Sequence, residues 1–396
     1  MRIALVHDWL TGMRGGEKCL EAIARHFPDA QLLTLVHRRG STSPVIEERP
    51  ITTSFLQHLP GATRYYRWLL PLMPSAVERL RVPRDVDLVL SFSHAVAKSI
   101  RVPTGVPHVC YCFTPMRYAW HLREAYFDTQ RSDRDGGTYG VLSARLTRRP
   151  LALAREVLLD RLQSWDRTHS AGVTHFVAAS RTVAARIAEA YGRASEVIYP
   201  PVDCDYFTPG DVERDDYYLC VSALVPYKRV DLAIAACRKL GRRLVVIGSG
   251  PQQARLARSA GAGIELVGWQ SRATIRAHLR RCRGLLFPGE EDFGIVPLEA
   301  AACGTPVIAY ARGGATETVV PGTAVAPGTG WWFEPQTVDA LAAAMLRAEQ
   351  QPEAFSSHRA RAQAERFATP RFESQLLAFL EQAAAAGQRG LTASYD

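Results

Sequence analysis

The sequence predicts an α/β protein built from two doubly wound parallel sheets. The chain has 396 residues, which is longer than a typical single domain. Its composition is that of a globular protein, with 47% hydrophobic and 22% charged residues. Short apolar runs alternate with Ala-, Arg- and Leu-rich stretches of helical period in both halves of the chain. Because such alternation packs helices on both faces of a parallel sheet, its presence in each half predicts two sheets.

The apolar runs are the candidate strands. In the first half they cover 3–8, 31–36, 86–93, 106–113, 174–180 and 196–203, and in the second half 217–224, 243–250, 264–269, 284–289 and 305–310. The stretches 17–27 and 251–259 between them have helical period. No run approaches the roughly 18 apolar residues that a membrane-spanning helix needs. Since His7 and Asp8 interrupt the first run, we also expect no secretory signal.

Two consecutive prolines mark the boundary between the halves. Pro200 and Pro201 exclude regular structure and stiffen the connection. We therefore expect one Rossmann-like domain over 1–200 and a second over 201–370, facing a central cleft. Ligands of such sheets bind at the carboxyl ends of the strands, so the cleft is the expected site.

The charge of the chain is unevenly distributed. Residues 1–200 hold 27 Lys and Arg against 18 Asp and Glu, whereas residues 201–396 hold 21 of each. A basic half indicates an anionic partner: nucleic acid, an anionic membrane or a phosphorylated substrate. The eight cysteines have no zinc or disulfide spacing, so we expect buried thiols in a reducing cytoplasm and no metal site.

Two segments of the first half do not fit the alternation. Residues 55–84 combine aromatic residues and leucines with five arginines, and 141–162 are similar. One interpretation is helices packed on the sheet with solvated arginines. The other is an interfacial segment that inserts Trp68, Leu69 and Leu70 among lipid headgroups while its arginines meet phosphate.

The most specific motif is an acidic loop followed by a helix. Gly289-Glu-Glu-Asp-Phe-Gly-Ile-Val-Pro-Leu-Glu-Ala300 follows a strand, and a helix is predicted to begin near Gly294–Pro297. Free N–H groups and the helix dipole at such an N-terminus suit a diphosphate. Glu291 on the loop and Glu299 within the helix can accept hydrogen bonds from hydroxyls at two ends of one ligand.

This motif resembles the E-x7-E signature of retaining, nucleotide-sugar-dependent glycosyltransferases of family 4, which have the GT-B architecture. The strings at 93–99, 111–120, 176–187, 197–203 and 225–234 resemble the branch with bacterial O-antigen and exopolysaccharide mannosyltransferases. The resemblance covers essentially the whole chain. It implies that the C-terminal helix (371–396) returns to the N-terminal, acceptor-side domain, while 201–370 bind the donor.

The resemblance also implies roles for individual residues. Glu291 would hold the donor sugar, Glu299 the ribose, and Lys228 the diphosphate, where a cation stabilises the leaving group. Arg117 would act on the acceptor side, so Glu291, Lys228 and Arg117 are the predicted catalytic residues. The further donor-binding residues are Gly15, Gly16, Arg229, Gly248, Gly250, Trp269, Phe293, Gly294, Ile295 and Val296.

Two positions depart from the pattern of that family. Its members usually carry an arginine at the position of Ala223 and, in this branch, a histidine at the position of Phe113. Arg229 is a candidate for the missing cation. The candidates for the missing polar contact at the sugar are His7, His94, His108 and His121.

The sequence therefore predicts a metal-independent hexosyltransferase that uses a nucleotide sugar, with GDP-mannose favoured, and no other cofactor. The expected acceptor is polyprenyl-diphosphate-linked or an oligosaccharide in cell-surface polysaccharide synthesis, with the protein cytoplasmic or peripheral on the inner face of the bacterial plasma membrane. The alternatives are a UDP-sugar donor, or a degenerate homologue that binds nucleotide sugar or acts as a scaffold. Neither a nucleic-acid recognition motif nor the G-x-G-x-x-G spacing of a dehydrogenase is present.

Overall fold

Two parallel sheets organise the chain, each in its own compact unit. The computed structural model describes residues 1–120, 149–323 and 325–392. The first unit contains the described residues up to 120, residues 150–201 and the chain from 370 onward, and the second contains 202–369. This architecture confirms the predicted pair of doubly wound sheets.

The first unit has a seven-stranded sheet of order β3-β2-β1-β4-β5-β6-β7, in which every pairing is parallel. Its strands are β1 (Ile3–His7), β2 (Gln31–Thr34), β3 (Ile51–Thr53), β4 (Leu88–Ser93), β5 (His108–Cys112), β6 (His175–Ala178) and β7 (Ser195–Val197). Its helices are α1 (Gly15–Ala24), α2 (Pro44–Glu47), α3 (Ala62–Tyr65), α4 (Met73–Arg79), α5 (Arg149–His169) and α6 (Arg181–Tyr191). The central strands β1, β4 and β5 are buried along their whole length, as their continuous apolar runs require.

The second unit has a six-stranded parallel sheet of order β10-β9-β8-β11-β12-β13. Its strands are β8 (Tyr218–Val221), β9 (Leu244–Ile247), β10 (Ile264–Gly268), β11 (Gly284–Phe287), β12 (Val307–Tyr310) and β13 (Gly330–Phe333). Its helices are α7 (Val230–Leu240), α8 (Gln253–Ala260), α9 (Arg272–Arg281), α10 (Ile295–Ala302), α11 (Ala315–Thr318), α12 (Val338–Gln350) and α13 (Ser357–Glu365).

The last helix belongs to the core of the first unit. This helix, α14 (Thr369–Thr392), places Phe372, Leu376 and Leu380 among the buried side chains of β1, β4 and β5. The ring of Phe372 meets the ring of Tyr111 edge-on, with 5.6 Å between their centroids. The C-terminal segment therefore completes the hydrophobic core of the unit in which the chain begins.

Residues 55–84 form short helical pieces rather than one helix, because Pro60, Pro71 and Pro74 interrupt it. The expectation that Leu70 inserts into lipid is wrong, since Leu70 is buried in the unit and Leu69 is half-buried. The exposed apolar side chains are Tyr65, Trp68 and Leu72. No helix in the described part of the chain is both long and apolar enough to cross a bilayer.

Candidate donor-binding site

The acidic loop and the helix after it lie at the carboxyl end of the second sheet. Strand β11 ends at Phe287, and α10 begins at Ile295. Gly294 precedes the helix with φ +94°, a conformation that glycine adopts without strain. The first N–H groups of a helix have no intrahelical acceptor, so those of Ile295 and Val296 are oriented to bind an anion.

Lys228 and Glu291 form an ion pair in this site. Lys228 ends a short turn (Pro226–Lys228) before α7, and its ammonium also lies 5.1 Å from the centroid of the Tyr227 ring. Both side chains of the pair are mostly buried, at 14% and 19% exposure. The structure thus brings together a cation and a carboxylate that lie 63 positions apart in sequence.

The backbone of the acidic loop packs closely against the backbone of the turn Pro226–Lys228. A Cβ on Gly289 would lie 2.8 Å from the Cα of Lys228 and 3.0 Å from its carbonyl oxygen. On the other side of the loop, the N–H of Gly314 donates to the carbonyl of Glu291 at 2.8 Å. A Cβ on Gly314 would lie 2.2 Å from the Cα of Phe293. The sequence analysis missed Gly313 and Gly314 as parts of this site, although a Gly-Gly pair just after strand β12 was a usable signal.

The remaining predicted residues of the motif lie along α10 and its entrance. Phe293 is buried and its ring lies 5.6 Å from that of Phe367, so only its main chain is available to a ligand. Glu299 is 6% exposed inside α10. A carboxylate so deeply placed must accept hydrogen bonds.

Gly248 and Gly250 lie against the loop that follows β8. A Cβ on Gly248 would lie 1.8 Å from the carbonyl oxygen of Ser222, and one on Gly250 would lie 2.4 Å from that of Leu224. Ala223 lies between Ser222 and Leu224 in this loop, and it is exposed. Trp269, which follows β10, is 76% exposed, and its indole is therefore accessible to a ligand.

Arg229 is engaged within the unit. Its guanidinium lies 3.2 Å from Asp231 and donates to the side-chain oxygen of Gln336 at 3.1 Å. Its backbone is left-handed at φ 50°, where it immediately precedes α7 as the N-cap residue. To replace the cation missing at Ala223, Arg229 would have to leave these partners.

In the first unit, Gly15 and Gly16 lie at the start of α1, and Gly16 is beside His7 and Phe113. A Cβ on Gly16 would lie 3.2 Å from the Phe113 ring and 3.3 Å from Nε2 of His7. Nδ1 of His7 donates to the carbonyl of Trp9 at 2.9 Å, which leaves Nε2 as an acceptor. Burial lowers the pKa of His7, so the imidazole is neutral. Nε2 has no hydrogen-bond partner in the described part of the chain.

The other histidine candidates differ from His7 in their surroundings. His108 is buried within β5, where its Nε2 meets the hydroxyl of Ser91 at 2.8 Å and burial lowers its pKa to about 4. His94 lies 3.1 Å from Asp8. His121 is outside the described residues, as are 141–148 of the second arginine-rich segment.

Asp8 has a structural role that the sequence analysis missed. Its buried carboxylate accepts the N–H groups of residues 94–97 at 2.7–3.0 Å. Burial alone would raise the pKa of Asp8, but His94 and these donors hold it below its ordinary value. Asp8 therefore fixes the turn that follows β4, at the same end of the sheet as Gly16.

Two parallel sheets of seven and six strands, each in its own unit, match the GT-B fold of glycosyltransferases. Among solved structures, Anabaena HepE in complex with UDP and glucose matches with a TM-score of 0.65 at 19% identity, covering 96% of this chain and 99% of that one. Sucrose-phosphate synthase from Thermosynechococcus elongatus matches with a TM-score of 0.69 at 16% identity, covering 98% and 100%. These likenesses establish the fold.

Sequence comparison then identifies the second unit more closely. Residues 207–367 match the family described as glycosyl transferases group 1. The chain is 36% identical over 209 residues to the GDP-mannose-dependent alpha-(1-6)-phosphatidylinositol monomannoside mannosyltransferase of Mycolicibacterium smegmatis, covering 45% of this chain and 53% of that protein. It is 32% identical over 214 residues to the D-inositol 3-phosphate glycosyltransferase of Mycobacterium avium, covering 48% and 49%. The chain thus spans about half the length of these relatives.

Within the described residues, no three or more His, Cys, Asp or Glu side chains are arranged to hold a metal ion. The eight cysteines are all buried. Burial raises the pKa of Cys220, the one nearest Lys228 and Glu291, to about 12. The thiol of Cys220 is therefore protonated at neutral pH.

Proposed function

We propose that the protein transfers a hexose, with retention of configuration, from a nucleotide sugar to an acceptor. The contact between Lys228 and Glu291 beside the N-terminus of α10 carries the proposal. A cation stabilises the diphosphate leaving group, while a carboxylate next to it orients the hydroxyls of the sugar. Because Lys228 and the helix N–H groups supply positive charge, the proposed reaction needs no metal ion.

The proposed donor is GDP-mannose. The named activity of the mycobacterial relative, which is GDP-mannose-dependent, supports this choice. A UDP-sugar is the second candidate, since the solved structure of HepE contains UDP and glucose. In either case Glu299 would bind the ribose, with Gly248, Gly250 and Trp269 near the nucleotide.

We further propose that His7 replaces the histidine missing at Phe113. Its Nε2 is a neutral acceptor beside Gly16 and Phe113, so a sugar hydroxyl can donate to it. The substitution His7→Phe should lower turnover by about two- to tenfold, the effect of losing one neutral hydrogen bond, with the affinity for GDP unchanged.

The proposed acceptor is a polyprenyl-diphosphate-linked sugar or an oligosaccharide of cell-surface polysaccharide synthesis. For the lipid-linked acceptor, the protein would bind the inner face of the plasma membrane from the cytoplasm. The exposed side chains of Tyr65, Trp68 and Leu72, which alternate with exposed Arg64 and Arg67, support this arrangement. Arg117 would then contact the acceptor.

A donor-turnover screen tests the proposal. Hydrolysis and transfer are measured with GDP-mannose, UDP-glucose, ADP-glucose and dTDP-glucose, using wild type and Lys228→Ala. Turnover of one donor by wild type, and its loss in the variant, is expected. Saturable binding without any turnover would instead favour the degenerate homologue that Ala223 and Phe113 suggest.

A further inference from the structure

A buried ion pair lies within the first unit, next to the turn that Asp8 fixes. The ammonium of Lys98 lies 2.5 Å from the carboxylate of Asp166, and both side chains are at most 1% exposed. Burial would lower the pKa of Lys98, but Asp166 raises it overall, so the ammonium of Lys98 stays protonated. A buried pair of this kind often contributes no more stability than apolar residues of the same volume would. Its presence therefore calls for another explanation.

The carboxylate of Asp166 connects segments that are distant in sequence. It accepts the indole N–H of Trp120 at 2.9 Å and the hydroxyl of Tyr191 at 2.7 Å. Lys98 belongs to the string 93–99 and Trp120 ends the string 111–120, both singled out by the sequence analysis. Asp166 is on α5, and Tyr191 ends α6.

Trp120 is held on three sides. Besides its hydrogen bond to Asp166, its ring meets that of Tyr191 edge-on, with 6.0 Å between centroids and planes at 89°. The guanidinium of Arg167 lies 5.4 Å from its ring centroid. The backbone N–H of Trp120 donates to the carbonyl of Met116 at 3.2 Å, and Met116 is fully buried. The turn that contains Arg117 is thus closed at Trp120.

We propose that Asp166 is a positioning residue, which acts through Trp120 to fix the turn carrying Arg117. Lys98 pairs with the carboxylate of Asp166, which accepts hydrogen bonds from both Trp120 and Tyr191. The inference rests on the proposed function for the role of Arg117, but not for the geometry of the turn.

The test compares two variants that each remove one donor to Asp166. Trp120→Phe keeps a smaller aromatic ring beside Tyr191 and Arg167 and loses the hydrogen bond between the turn and Asp166. Tyr191→Phe is the matched control, since it loses an equivalent hydrogen bond outside the turn. Both leave the Lys98–Asp166 pair intact, so neither exposes an uncompensated charge.

Two measurements are made on the full chain. Amide hydrogen exchange of residues 113–120 should become about tenfold faster in Trp120→Phe and stay unchanged in Tyr191→Phe. With a short-chain polyprenyl diphosphate carrying one N-acetylglucosamine as acceptor, Trp120→Phe should raise the acceptor KM about tenfold without changing the dissociation constant for GDP.

Equal exchange rates at 113–120 in the two variants, or an unchanged acceptor KM in Trp120→Phe, would overturn the inference. Failure of the proposed function is distinguishable. In that case the wild type itself shows no donor turnover, while the exchange comparison still decides whether Asp166 fixes the turn.

Discussion

In the candidate donor-binding site, the charges of two residues, Lys228 and Glu291, neutralise each other. Lys228 pairs with Glu291, so a diphosphate that binds Lys228 must compete with that carboxylate. Both partners are mostly buried, which makes their attraction stronger than that of a surface pair. In the proposed function, donor binding would exchange one ion pair for another and free Glu291 to accept hydrogen bonds from sugar hydroxyls.

This exchange predicts opposite effects of Glu291→Gln on binding and turnover. Free GDP should bind several-fold more tightly, because Lys228 loses its competing partner, while turnover should fall about tenfold or more with the loss of a charged hydrogen bond to the sugar. Calorimetry with GDP and initial rates with the donor measure the two quantities. Glu290→Gln, at the exposed neighbouring carboxylate, is the control. A fall in GDP affinity with Glu291→Gln would contradict the competition.

The position of Ala223 gives a second prediction at this scale. Its side chain is exposed on the loop after β8, so an arginine fits there without displacing core residues. Ala223→Arg should raise donor affinity severalfold, since a second cation would share the diphosphate with Lys228. Ala223→Leu, which adds bulk without charge, is the matched control for this calorimetric comparison. If both variants bind alike, no diphosphate lies near residue 223.

At the level of elements, the geometry of the candidate site depends on close packing between the turn Pro226–Lys228 and the acidic loop. The turn Pro226–Lys228 packs directly on Gly289, and the acidic loop packs on Gly314. These contacts are between backbones, which cannot rotate away as side chains do. Any side chain at Gly289 must therefore separate Lys228 from Glu291.

Gly289→Ala should consequently weaken donor binding by about tenfold or more, because the diphosphate and sugar contacts lose their common geometry. Gly172→Ala is the control, since a Cβ at Gly172 meets nothing within 4 Å. Donor titrations of the two variants provide the measurement. If the Gly289→Ala variant binds the donor with wild-type affinity, donor binding does not require the close packing of the turn Pro226–Lys228 on Gly289.

The sequence predicted the interior of each sheet better than its edges. All eleven apolar runs contain strands, but the edge strands β3 and β13 were not predicted. Strand β3 has only three residues, each half-buried, so it has no continuous apolar run. Strand β13 is a Gly-Trp-Trp-Phe sequence whose pattern does not distinguish strand from loop.

The sequence likewise predicted the acidic motif but not its tertiary contacts. Its residue types and spacing are local in sequence, so the pattern could be read from the sequence alone. The contacts of Lys228 with Glu291, of Phe113 with Gly16, and of Asp166 with Trp120 join distant segments. Only the folded chain brings these groups together, so local pattern could not reveal them.

On the scale of the whole molecule, the charge separates by half of the chain. The entire positive excess lies in residues 1–200, where four arginines at positions 64, 67, 79 and 81 are exposed near Tyr65, Trp68 and Leu72. A soluble acceptor does not explain why exposed arginines lie beside exposed apolar side chains. Binding to an anionic membrane does, because the arginines would attract lipid phosphate. Each arginine near such a surface contributes about 1 kcal/mol of attraction.

We therefore predict salt-sensitive binding to anionic vesicles, since surface charges are screened over about 10 Å at 0.1 M salt. Replacing the four arginines with glutamine should release the protein in a vesicle sedimentation assay without changing its affinity for GDP. The control replaces four exposed arginines of the second unit, namely Arg255, Arg258, Arg359 and Arg366. Equal binding to neutral and anionic vesicles would mean that the charge serves solubility alone.

Calorimetric titration with nucleotide sugars tests the central claim most directly. GDP-mannose, UDP-glucose, ADP-glucose and dTDP-glucose are titrated into wild type, Lys228→Ala and Glu299→Ala. We predict saturable binding of at least one donor, GDP-mannose first, weakened about tenfold or more in each variant because a hydrogen bond involving a charged group is lost. No saturable binding of any donor, or equal binding by all three proteins, would contradict a donor site at Lys228 and α10.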